Sequence, residues 1–233
     1  MKKIRAFNSG FKNGPWTENK FTNLTPYSPF YSQADKVVYQ HLDQMQKEGL
    51  TYFFEYQPIA GFVRPINMAD IKKVIAHIPD IFITDLKGVF LCPGSKKQGR
   101  FSSNVFGCYS EFYKSICIFP FPDDLCFYFK NRPKPSVCLE YERHGAKWKQ
   151  DERYWQLEFN LESLRSFYLR DVLVHEIGHH VDNISLSKDR SNGQKERFAE
   201  WFAIEFGMRS ANKQLTELGQ VIQGIIKQES ERL

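Results

Sequence analysis

The run VLVHEIGHHVDN, residues 172–183, constrains this chain more than any other stretch. Successive residues of an α-helix turn by about 100°, so His175 and His179 stand one above the other, about 40° apart. Leu173, Ile177, Val181 and Ile184 fall on the opposite side. Such a helix buries one face in a core and presents two imidazoles on the other. Glu176 projects about 60° round from His179, within reach of a water held near the pair. Two neutral ring nitrogens that can hold Zn²⁺, with a carboxylate beside them as general base, are the physical content of H-E-x-x-H.

A catalytic zinc usually takes three protein ligands and keeps one position open. The third is sought among Asp182, Asp189, Glu196, Glu200 and Glu205. Asp182 lies two turns beyond His175 on the same helix, too far along the axis to share the ion, and is expected to bond an imidazole or nearby backbone instead. Asp189 sits in the polar loop SLSKDRSNGQK. The following helical run, KERFAEWFAIEFGMR (195–209), has Phe198, Phe202 and Phe206 as its apolar stripe. Glu196 and Glu200 share another side with Ala199 and Ala203, whose small side chains let a second helix approach. Glu196 is therefore the expected ligand. Glu200, one turn on, is expected to accept the N–H of a ligand histidine and hold its tautomer.

VLVHEIGHHVDN and ERFAEWFAIEF together resemble the two active-site helices of gluzincin zinc metallopeptidases, in particular the anthrax-lethal-factor-like and Pro-Pro endopeptidase group. The E-x-x-A-x-x-F-A spacing is also similar to small gluzincins that cleave repressors of mobile elements. The resemblance covers roughly residues 160–210. It implies a zincin-like domain, a Zn²⁺ cofactor, a protein or peptide substrate, His175, His179 and Glu196 as ligands, and Glu176 as the base. No tyrosine lies between 180 and 200, where the lethal-factor-like group carries one. His144, Tyr109, Tyr113 and Tyr154 are minor candidates for stabilising an oxyanion, and His144 is otherwise read as an exposed loop residue. His180, near the edge of the apolar stripe, is read as a core or surface residue. An inactive zinc-binding module that engages a protein partner is the alternative reading.

The rest of the chain supplies the frame. Residues 1–33 read as an irregular arm and 34–233 as one domain. Helices are expected at 34–49 and at 67–79, the latter capped by Asn67. Strand-like runs are LTYFFEY, GVFLC, VFGCYSEF, KSICIFPF, SVCLEYE (136–142) and YWQLEFNL. The pattern turns helical from about Leu161, with an active-site helix at 162–184, a glutamate helix at 195–209 and a last amphipathic helix in NKQLTELGQVIQGIIKQES. This order argues an α+β fold with a twisted, mostly antiparallel sheet. SICIF is the expected edge strand for an extended peptide.

The 21 phenylalanines point to a well-filled core. A net charge of +5, dispersed except at GSKKQGR and KNRPKP, fits solvated faces better than a nucleic-acid patch, and a nucleic-acid-associated regulator is the third and weakest reading. The basic start lacks the apolar region of a signal peptide, and no run of 18 apolar residues suggests a membrane span. Five cysteines without a C-x-x-C pair fit core thiols in the cytoplasm.

Overall fold

The computed structural model describes residues 29–47, 51–94, 105–129, 131–150, 154–185 and 190–209. Most of the expected arm and the whole expected last helix lie outside these residues, as does Asp189.

The described residues open with α1 (Pro29–Gln40) and α2 (Leu42–Lys47). One helix was expected across this span, but it breaks at His41. The His41 amide turns back to Val38 O at 2.9 Å, and its imidazole lies 2.9 Å from Tyr56 Oη and 3.2 Å from Tyr52 Oη. Then follow β1 (Tyr52–Glu55), β2 (Phe62–Val63), α3 (Met68–Ile75), α4 (Asp80–Ile83) and β3 (Gly88–Leu91). Asn67 caps α3 as expected: its side chain accepts from Asp70 N, and the Asp70 carboxylate accepts from Asn67 N, each at 3.0 Å.

The middle of the chain carries β4 (Gly107–Ser110), β5 (Ser115–Ile118), β6 (Phe121–Pro122), β7 (Cys126–Phe129), α5 (Pro135–Glu142), β8 (Lys147–Gln150) and β9 (Trp155–Glu158). The SVCLEYE run, expected as a strand, is α5. Pro135 occupies the first turn, where its missing N–H costs nothing, and the buried residues Val137 and Tyr141 are four apart on one helical face. The β-branched and aromatic content of that run therefore serves a helix stripe.

Among the described residues, three sheets replace the single sheet expected. The largest has the order β1-β3-β5-β4, with β1, β3 and β5 parallel and only β4 antiparallel. Parallel neighbours need long crossovers, and α3 with α4 supplies the one between β1 and β3. Ser115–Ile118 is thus an interior strand; the edge on that side is β4. The β2–β6 ribbon and the β7-β9-β8 sheet are antiparallel.

From Leu161 the chain is helical: α6 (Leu161–Phe167), a π-helical segment (Tyr168–Val172) and α7 (Leu173–Ser185) run on without a break. The next described helices are α8 (Asn192–Phe202) and a second π-helical segment (Ala203–Arg209). Alternation along the large sheet sends Val89, Leu91, Ile116 and Ile118 into one apolar cluster with Leu173, Ile177, Val181 and Phe202. Phe90 and Cys117 point the other way, to Val37, Val38 and Met45 of α1 and α2. Helices therefore cover both faces of this sheet, and α7 runs through the middle of the larger core in an α+β molecule. No helix among the described residues is long and apolar enough to cross a membrane.

Candidate metal centre

Helix α7 does what its periodicity requires. Leu173, Ile177 and Val181 are fully buried, while His175 and His179 stand on another side with ring centroids 4.8 Å apart and planes at 81°. Helix α8 begins at Ser191, whose hydroxyl accepts from Gln194 N while the Gln194 amide oxygen accepts from Ser191 N. It can lie close to α7 because Gly178 faces Ala199: a Cβ on Gly178 would sit 2.8 Å from Ala199 Cα and 3.2 Å from Ala199 O. Glu196 lies one turn before that contact and so reaches the histidine pair. At the other end of the interface Arg190 pairs with buried Asp182 and donates to Gln194 O at 3.1 Å. Lys195 ties α8 to the end of β4 through Glu111, 2.7 Å away.

His175 Nε2 lies 3.5 Å from Glu196 Oε2, and His179 Nε2 lies 3.5 Å from Glu196 Oε1. One donor atom from each residue falls within 4.8 Å of the others. These separations are long for direct hydrogen bonds. A tetrahedral ion with bonds of about 2.0–2.1 Å sets neighbouring ligand atoms about 3.3 Å apart, so the spacing fits one small cation between them. Glu196 Oε2 is buried with no hydrogen-bond partner among the described residues, as a coordinating oxygen would be. Two imidazoles and a carboxylate are also the chemistry of a divalent-metal ligand set.

The electrostatics agree. Burial pushes the His175 pKa down to about 4, which leaves its ring neutral. For His179 burial acts the same way, but pairing with the Glu196 carboxylate outweighs it and the pKa rises. Glu196 is itself raised by burial, yet the two histidines hold it down at about 2. The Glu196 carboxylate thus draws positive charge to the point between the rings, where a divalent cation fits.

Glu176 faces β4. Its carboxyl is pushed up to about 7 by burial, it meets the Tyr109 backbone N–H, and Oε1 has no hydrogen-bond partner among the described residues. Gly107 makes the close approach possible, since a Cβ there would lie 2.8 Å from both Glu176 Cγ and Oε1. A glycine inside the strand-like VFGCYSEF is a sequence sign of such an approach, although it does not say to what.

Several expectations need correction. Asp182 pairs with Arg190 and not with an imidazole, and Glu200 is exposed. A carboxylate that acts on His175 electrostatically is the buried Asp171, one turn before it. Asp171 is paired with Arg143 and lies 3.0 Å from His144 Nε2, while His144 Nδ1 lies 3.1 Å from Ser166 Oγ. His144 is therefore a buried support and not an exposed loop residue. Burial raises the Asp171 pKa, but His144 and Arg143 more than offset this and hold it below the usual carboxylate range. His180 is buried against Tyr109 and Thr84. The chain matches no protein-family model, no curated protein and no solved structure.

Proposed function

We propose that the protein is a zinc-dependent endopeptidase of the gluzincin type with a zincin-like fold. The observation that carries this reading is the convergence of His175, His179 and Glu196 on one point with Glu176 buried beside them. His175 and His179 on α7 and Glu196 on α8 would hold the ion. When bound, zinc supplies a Lewis acid that acidifies water and polarises a carbonyl.

The chain's own residues do the rest. Glu176 Oε1 takes the proton of the attacking water and returns it to the leaving amine. The Tyr109 N–H and the Gly107 backbone hold that carboxylate in place. The outer edge of β4 carries no strand partner among the described residues, so it can align an extended peptide by main-chain hydrogen bonds next to Glu176. All five cysteines are free, which favours a reducing compartment and hence the cytoplasm.

The test combines metal analysis with turnover. Wild type is expected to carry one zinc per chain and to cleave a reduced, alkylated protein substrate. Glu196→Ala should lose the zinc. Glu176→Gln should keep it and lose hydrolysis. Wild type that takes up no zinc, or a zinc-loaded Glu176→Gln that still hydrolyses, defeats the reading.

A further inference from the structure

Among the described residues, strand β4 is held to its sheet on one side only, by β5. Edge strands are prone to fray, yet this one sets the position of Glu176 through the Gly107 backbone and the Tyr109 N–H. Something must fix it to α7. The Tyr109 side chain points onto α7 and ends in a chain of three hydrogen bonds. Asn183 Nδ2 donates to Tyr109 Oη at 3.0 Å, Tyr109 Oη lies 3.0 Å from His180 Nδ1, and His180 Nε2 lies 2.9 Å from Thr84 O.

The direction of every bond follows from chemistry. A carbonyl only accepts, so His180 Nε2 carries the hydrogen and donates to Thr84 O. If Nδ1 were protonated as well, the Tyr109 oxygen would face donors on both sides and its own O–H would lack an acceptor. With Nδ1 as acceptor, Tyr109 O–H donates to it and accepts from Asn183, and each group is satisfied. The rings reinforce the contact, with Tyr109 and His180 centroids 5.4 Å apart at 68°. Loop, helix and edge strand are thereby locked in one register.

We propose that Tyr109 is a positioning residue: its hydroxyl, through His180 and Asn183, clamps edge strand β4 onto α7 so that the strand's backbone holds Glu176 in place. The clamp is a statement about strand and helix; only its consequence for turnover rests on the peptidase reading. Neither His180 nor Asn183 touches the reacting atoms in this account.

Tyr109→Phe keeps the ring and removes the hydroxyl. In zinc-loaded protein, backbone amides of 107–111 should then exchange with solvent about fivefold faster or more, the worth of one lost hydrogen bond, while α8 amides and zinc stoichiometry stay as in wild type. On the protein substrate kcat should fall. Asn183→Ala, which leaves the O–H to His180 bond intact, should show a smaller change in the same direction and serves if Tyr109→Phe does not fold. Unchanged exchange at 107–111 in both variants overturns the clamp, and faster exchange with unaltered kcat overturns its part in positioning Glu176. If wild type hydrolyses nothing, the peptidase reading fails alone, and the exchange data still decide whether the hydroxyl holds the strand.

Discussion

Gly107 is the residue at which the site is most exposed to a one-atom change. Its missing side chain is filled by the Glu176 Cγ and carboxyl, and Glu176 is buried. On the peptidase reading, Gly107→Ala should therefore displace Glu176 without loss of zinc; a shift of about 1 Å in a reacting group can cost about 100-fold in rate. Turnover beside metal content checks it, and unaltered kcat would mean that Glu176 tolerates the shift. Asp171 is the second sensitive residue. Its folded pKa lies below the unfolded value, so its pairing with Arg143 and His144 stabilises the fold above the unfolded pKa of about 4 and fades as pH falls through the folded one. Asp171→Asn should cost about 3 kcal/mol near pH 7, the scale for breaking a buried ion pair, and the gap to wild type should close in strong acid. Denaturant melts at pH 7 and below pH 3 read it. A gap that persists in acid would mean that the pairing is not what the carboxylate contributes.

At the scale of elements, the approach of α7 to α8 decides whether three ligands can meet. Gly178 sits between His175 and His179 in sequence and faces backbone atoms of Ala199, which cannot move without moving α8. Gly178→Ala should force the helices apart, cost about 1–3 kcal/mol as an overpacked contact, and weaken zinc binding because Glu196 travels with α8. Zinc titration with a competing chelator measures it; unchanged affinity would show that the pair yields elsewhere. The two π-helical segments also meet, with Gly207 directly against the Arg170 carbonyl. A side chain there would strike backbone, so the far ends of the two helical rods are joined as closely as the ends that carry the ligands.

For the whole molecule, a metal held between α7 and α8 as proposed would couple the two arms of the larger core. Zinc at 100 times its Kd should add about 2.7 kcal/mol to stability. For a domain of this size that corresponds to a melting temperature about 5–10 °C higher than in a chelator. Thermal melts with and without chelator check this, and Glu196→Ala should melt alike in both. Equal melting of wild type in zinc and chelator would place the ligand atoms too far apart to share an ion.

Interactions within about four residues were legible directly. The i, i+4 histidines, the carboxylate beside them, the apolar stripe of α7 and the Asn67 cap all depend on helix geometry alone, which every chain shares. Glu196 stood out from its competitors by the face it shares with Ala199, because small residues mark where helices approach. Asp171 carried the same one-turn signal from His175 and was missed for want of a partner, since Arg143 and His144 lie far back in the chain. The strand reading of SVCLEYE failed because its residues suit either a pleated surface or a helix stripe, and what lies against Val137 and Tyr141 made the choice. Parallel order in the large sheet, the place of β4 at its edge, and the meeting of Gly107 and Tyr109 with Glu176 came only with tertiary structure. The last of these joins residues about 70 positions apart, and which surfaces meet at that range depends on how all the elements fill one core. The sequence by itself determined what chemistry α7 can offer; packing decided what stands next to it.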